Sequence, residues 1–124
     1  MEKINEYFFD TYALFEIIHK NKSYSNYLRV GIITTKLNLM ELHYRLLMLY
    51  GKDIADKSYD RFVVFCVDID DDLIKTANEF KLSNKKKDLS YVDCIGYIIA
   101  KTNNVKFLTG DKQFEHLDNV EFVK

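Results

Sequence analysis

Four carboxylates carry the chemistry this sequence offers. Asp93 lies near the start of Ser90-Tyr91-Val92-Asp93-Cys94-Ile95-Gly96-Tyr97-Ile98-Ile99-Ala100-Lys101, which reads as a helix. Asp111 follows Val105-Lys106-Phe107-Leu108-Thr109-Gly110, a short buried strand and its turn. Asp10 closes the apolar run Tyr7-Phe8-Phe9, and Glu41 interrupts a long apolar helix. Packed together in a cleft of low dielectric, four carboxylates repel strongly. A divalent cation with oxygen ligands removes that cost, and a site without His or Cys suits Mg²⁺ or Mn²⁺ better than Zn²⁺. Water on such an ion is a nucleophile, and one ion, or two roughly 3.5–4 Å apart, can also stabilise the leaving oxygen of a phosphodiester.

Each acid also has an ordinary role open to it. Asp10 and Asp111 suit helix N-caps, Asp93 suits the positive end of a helix dipole, and Glu41 stands four residues before Arg45 in a helical pair. Their joint placement is what favours a site.

The elements that would position these acids follow from periodicity. Tyr7–Phe9 reads as a strand and Thr11–His19 as a helix, with apolar residues at 14, 15, 17 and 18. After a polar segment, Arg29–Thr35 reads as a second strand, rich in β-branched residues. Lys36–Tyr50 is apolar nearly all round, which predicts a helix buried on most sides and ended by Gly51. Ile54–Asp60 is a short connecting helix or loop, and Arg61–Val67 has the strongest strand pattern in the chain. Asp68–Lys81 has helical spacing at Leu73, Ile74, Ala77 and Phe80, and Lys81–Lys87 reads as a lysine-rich loop. A helix over Leu89–Lys101, a strand at Lys106–Leu108, a helical turn at Asp111–His116 and a strand at Val120–Val123 complete the chain. Alternating strands and helices predict an α/β fold in three layers, its central sheet mostly parallel and covered on both faces. Strand C-termini and helix N-termini share one edge of such a sheet, where open α/β sheets bind ligands. That edge is where all four acids belong.

Composition bounds the rest. The 124 residues, 48% hydrophobic and 15% aromatic, are enough for one domain with a full core. With 18 Lys+Arg against 19 Asp+Glu, the net charge of −1 gives no general affinity for nucleic acid, so any contact with it needs a local basic patch. Cys66 and Cys94 lie in apolar runs without metal spacing and read as reduced core thiols of a cytoplasmic protein. No apolar signal segment follows Met-Glu-Lys-Ile-Asn-Glu, and the longest apolar runs fall far short of a membrane span.

The segments Phe9-Asp10-Thr11-Tyr12-Ala13-Leu14, Leu39-Met40-Glu41-Leu42, Val92 to Ala100 and Phe107-Leu108-Thr109-Gly110-Asp111-Lys112-Gln113-Phe114 together resemble a PIN domain, specifically the VapC-like toxins of toxin–antitoxin pairs. The likeness covers essentially the whole chain, with the four motifs in order. It implies a PIN fold and a Mg²⁺- or Mn²⁺-dependent ribonuclease, forming a homodimer inhibited by a small antitoxin. By position it implies Asp10, Glu41, Asp93 and Asp111 as the acidic quartet, with Thr11 and Thr109 as hydroxyls beside it. Gly96 and Ala100 match small residues that let a neighbouring element approach the third-motif helix; Gly96-Tyr97 stands where Ala-rich sequence is commoner.

Other features carry less. Asp68 to Glu79 imitates a calcium loop, but Leu73 occupies the position that needs Gly, so its acids read as a solvated helix start. Lys85-Lys86-Lys87 precedes the Asp93 helix and would lie near the acidic edge, a possible contact for RNA phosphates or a solvated loop. His19, His43 and His116 lack metal spacing. Tyr12, Tyr44 and Tyr97 suit either base stacking or core packing. A phosphoacceptor of the receiver type would also gather acids and a Thr, but leaves Glu41 and Asp93 unexplained. A catalytically silent PIN binding module, or a PIN nuclease outside a toxin–antitoxin pair, completes the alternatives.

Overall fold

The computed structural model describes residues 5–124; the first four residues, part of the opening read for a leader segment, lie outside them. Strands β1 (Glu6–Phe9), β2 (Gly31–Ile33), β3 (Lys106–Thr109) and β4 (Val120–Phe122) form one sheet in the order β2-β1-β3-β4, with every pairing parallel. Side chains alternate across a sheet, and the sequence exploits this. Phe8 and Phe107 point to one face, Phe9 and Leu108 to the other, and all four are fully buried. Helices α1 (Thr11–Ile18), α2 (Lys36–Tyr50) and α3 (Lys52–Phe62) cover the Phe9 face; α4 (Asp71–Ser83) and α5 (Tyr91–Thr102) cover the Phe8 face. The three layers expected from the alternation of elements are present.

Helix α5 shows how closely sequence and packing agree. Gly96 faces the sheet where an added Cβ would lie 2.5 Å from Phe8 Cε1 and 3.2 Å from Phe107 Cε1. One turn further on, Ala100 is also fully buried. These small residues allow the stacked Phe8 and Phe107 rings, 5.7 Å apart, to sit against the helix. Gly96→Ala would force the Phe8 ring out of place and cost about 1–3 kcal/mol, an overpacking penalty that urea denaturation will register as a lower midpoint with an unchanged slope. Tyr97 is wholly buried, stacked on Phe80 at 4.5 Å, and its hydroxyl donates to Asp118 Oδ1 at 2.6 Å. It is a core residue, not a base-stacking one.

Two expectations need correction. Arg61–Val67 is not a strand. Arg61 and Phe62 end α3, Val63–Phe65 forms a 3-10 turn, and Cys66 makes only an isolated parallel bridge to Thr34. The reason lies in α3, which buries Ala55, Ser58 and Phe62 at helical spacing, so burial of Phe62 as its last helical anchor overrides the β-propensity of the run. Val64, 75% exposed, has no sheet face to cover. Nor is α2 buried on most sides: Asn38, Leu39, Leu42 and Leu46 form its one buried stripe. Met40, Tyr44 and Met48 are exposed at 58%, 65% and 64%. The connecting segment after Gly51 proves to be the full helix α3, and α4 runs through Ser83 into the lysine-rich turn.

The smaller sequence readings are consistent with the structure. Asp70 caps α4 by accepting from the Leu73 N–H at 2.8 Å, with Asp71 and Asp72 in the first turn. The histidines are held by local partners, His19 by Tyr50 at 3.1 Å and His43 by Asp56 at 2.8 Å, while His116 is exposed. Cys66 and Cys94 are free thiols, and burial pushes the Cys94 thiol up to about 11. Among the described residues no helix is long and apolar enough to cross a membrane.

Candidate active site

From β1 the chain crosses to β2 on one side, and from β3 to β4 on the other, so the order reverses between β1 and β3. A crevice opens outside the strand ends at such a point. Asp10 directly follows β1 and Asp111 follows β3 by two residues, which puts one acid on each side of it. The Asp10 N–H donates to the Leu108 carbonyl at 3.3 Å, tying the two strand ends together. Asp10, Asp93 and Asp111 line one cleft of about 470 Å³ there, with Thr11, Tyr12, Arg45, Gly110, Lys112 and Lys124.

Each acid is held by the start of a helix or turn. Asp10 caps α1, its Oδ1 accepting from the Ala13 N–H at 2.8 Å. Asp93 forms a reciprocal capping box with Ser90: the Asp93 N–H donates to Ser90 Oγ at 3.0 Å, and Asp93 Oδ2 accepts from the Ser90 N–H at 3.2 Å. Asp111 caps the short turn Lys112–Phe114, accepting from the Gln113 N–H at 3.0 Å. The capping roles open to these residues are thus real, yet they do not compete with a site. A cap uses one carboxylate oxygen, and each side chain has a second.

Glu41 is reached differently. Thr35 caps α2 and donates to Asn38 Oδ1 at 2.6 Å; Asn38 Nδ2 donates to Thr11 Oγ1 at 3.2 Å; Thr11 Oγ1 donates to Glu41 Oε1 at 2.7 Å. This chain of hydrogen bonds ties the start of α1 to the second turn of α2. Glu41 is close enough to Asp93 that its charge helps raise that carboxyl. It takes its hydrogen bond from Thr11, while Arg45 lies over the Phe15 ring at 3.9 Å.

The electrostatics are those of crowded acids. Burial raises the Asp10 carboxyl from 3.8 to about 8; Thr109 and the Ala13 N–H oppose the rise, and the Asp93 and Asp111 charges add to it. Asp93 is raised as well, first by burial and then, against its Ser90 hydrogen bonds, by Asp111 and Glu41. Thr109 is fully buried and its Oγ1 accepts from the Asp111 N–H at 3.0 Å, so it braces the turn between two acids. Gly110 lets that turn pass between Tyr12 and the chain end: an added Cβ would collide with the Tyr12 ring and lie 2.6 Å from the Val123 carbonyl oxygen.

An all-oxygen donor set of mutually repelling carboxylates fits a hard divalent cation. Among the described residues no three His, Cys, Asp or Glu side chains converge closely enough to hold an ion as they stand. Lys85 and Lys87 line a separate depression with Lys81 and Tyr91, the first residue of α5, rather than the acidic cleft itself. Sequence reasoning missed Asn38, Lys112 and Lys124, and saw Arg45 only as a partner for Glu41. The available signal was the polar series Asn38, Glu41, Arg45, at steps of three and four along an otherwise apolar helix.

A family model described as PIN domain matches residues 7–120. Comparison with curated proteins finds no match. Among solved structures, VapC20 of Mycobacterium tuberculosis, a toxin that cleaves the sarcin-ricin loop, superposes with a TM-score of 0.78 at 17% identity, covering 95% of this chain and 99% of that one. A toxin–antitoxin complex from Klebsiella pneumoniae gives 0.73 at 16% identity over 92% and 94%. VapBC2 from Rickettsia felis, bound to a DNA fragment from its promoter, gives 0.69 at 20% identity over 96% and 99%. At these identities the likeness is one of fold.

Proposed function

This chain belongs to the PIN domain family, and from that premise we propose that it is an endoribonuclease dependent on Mg²⁺ or Mn²⁺, acting as the toxin of a VapBC-type pair. The observation that carries the reading is the meeting of Asp10, Asp93 and Asp111 in one cleft at the switch point of the sheet, with the Asp10 and Asp93 carboxyls raised by desolvation and by the charges of their neighbours. Asp10, Glu41, Asp93 and Asp111 are the proposed ligands. When bound, a divalent cation supplies a polarised water and positive charge opposite a phosphodiester oxygen. The chain's own part is to fix the carboxylates. The helix caps hold Asp10, Asp93 and Asp111 by one oxygen each, and Thr11 orients Glu41.

The proposed partners are single-stranded RNA, a small antitoxin and a second copy of the chain, in the cytoplasm. Exposed Met40, Tyr44 and Met48 on α2, with Ile54 on α3, give an apolar surface that supports a protein partner. Two of the similar structures are themselves described as toxin–antitoxin or VapBC assemblies.

The deciding experiment incubates a mixed single-stranded RNA pool with Mg²⁺ or Mn²⁺ and the wild type, Asp93→Asn, or wild type plus EDTA. Cutting by the wild type is expected to fall by about 10²–10³-fold in both controls, the loss usual for a group that stabilises charge in the transition state. Cutting that Asp93→Asn leaves untouched removes Asp93, and the quartet with it, from the mechanism.

A further inference from the structure

The acidic cleft also has a basic rim: Arg45, Lys112 and Lys124 line it opposite the carboxylates in chemistry. Arg45 is exposed, yet its head group has a fixed neighbour. It stands four residues beyond Glu41 on α2, and its guanidinium lies over the Phe15 ring, 3.9 Å from the centroid. Phe15 is buried beneath it and belongs to the core. Burial and the Glu16 and Asp10 charges raise the neighbouring Tyr12 phenol, and Arg45 opposes them, which places its charge beside the cleft wall. Among the described residues it forms no ion pair, although the protein's acids crowd the same cleft.

A contact with an aromatic face uses none of the five guanidinium N–H groups. Arg45 is therefore oriented by Phe15 and still carries a full fork of donors, the geometry that matches two oxygens of a phosphate. A polyanion entering a cleft lined with carboxylates needs a cation that those carboxylates have not already neutralised. We propose that Arg45, steadied on Phe15, grips a backbone phosphate of single-stranded RNA next to the bond presented to the acids. This rests on the nuclease reading above and adds to it the residue that positions the substrate.

The test separates the two. Binding of a fluorescein-labelled, mixed-sequence RNA of about ten nucleotides is followed by anisotropy across a NaCl series with Mg²⁺ present, in an Asp93→Asn background so that the probe stays intact. Arg45→Met keeps an apolar stem on Phe15 without the charge, and its melting temperature confirms the fold. It is expected to bind about tenfold more weakly at low salt and to lower the slope of log K against log salt by about 0.7, the value of one phosphate contact on a single strand. Arg45→Lys is expected to keep the slope while regaining only part of the affinity, and Lys75→Met, on the exposed side of α4, is expected to change neither. An Arg45→Met protein with the parent's affinity and slope, or with weaker binding at an unchanged slope, overturns the assignment while leaving the nuclease reading intact. A parent that binds no RNA, together with an unsubstituted protein that cuts none, overturns both.

Discussion

Replacing Asp10 by Asn is expected to make the metal-free protein more stable at pH 8 while abolishing RNA cleavage. Asp10 is buried in the folded state, where desolvation above all, and then the Asp93 and Asp111 charges, hold its carboxyl at about 8 instead of 3.8. The folded chain thus prefers the protonated acid. Its contribution to stability is present in full below about pH 4, declines as pH rises, and is lost by about pH 8. Asn carries no charge at any of these pH values and caps a helix as well as Asp does. The gain over wild type at pH 8 is expected to be roughly 2–4 kcal/mol, a discounted reading of the linkage between protonation and folding. Urea denaturation at pH 5 and pH 8 checks it: the advantage of Asp10→Asn is expected to grow with pH. Added Mg²⁺ is expected to stabilise the wild type and not the variant, because cation binding to the folded state alone raises stability. A variant less stable than wild type at both pH values would mean that Asp10 is held as a charged group by interactions the cleft does not display.

The second large effect lies in the core. Phe62→Ala is expected to cost about 3–5 kcal/mol, the usual penalty for emptying a buried aromatic site. Val64→Ala, two residues on, is expected to stay within about 0.5 kcal/mol. Phe62 is completely buried as the end of the α3 stripe, while Val64 lies exposed in the following 3-10 turn. In a strand over 61–67 these residues would share one face, and both substitutions would be costly. Denaturation of the two variants separates the arrangements, and comparable losses from both would contradict the helix.

That pair also marks where the sequence was legible and where it was not. The sheet could be read because strands such as Phe8-Phe9 and Phe107-Leu108 are bounded by turn residues and lead straight into capped helices. Arg61–Val67 has equally good local propensity, but propensity does not reveal that Phe62 is already committed to the face of α3. Helix α2 poses a related difficulty. Being apolar on nearly every side, it does not announce which side the fold covers, so Met40, Tyr44 and Met48 could be placed only by knowing where α1 and α3 pack.

The site divides in the same way. The acids could be placed on one edge because strand C-termini and helix N-termini must meet there. The chain Thr35–Asn38–Thr11–Glu41 spans two helices, and a long-range hydrogen-bond relay leaves no periodic trace. Arg45 has an acid four residues before it, so the local pairing rule gave it the wrong neighbour. Its actual partner is Phe15, thirty residues earlier on a different helix.

If the capping acids are also the proposed ligands, their double duty has a genetic consequence. Asp10, Asp93 and Asp111 each anchor the start of a helix or turn through one oxygen, a bond that the amide of Asn can also make. Every Asp codon becomes an Asn codon by a single transition at its first base. On the proposed function, a lineage can therefore pass from an active to a silent form in one mutational step without crossing an unfolded intermediate, and at Asp10 the step even relieves a buried charge. Where the activity harms its own host, escape through such folded, inert alleles is expected to outnumber escape through Asp→Ala-like losses that also remove the caps. Sequencing survivors of overexpression, and scoring which of them still accumulate soluble protein, makes that bias visible.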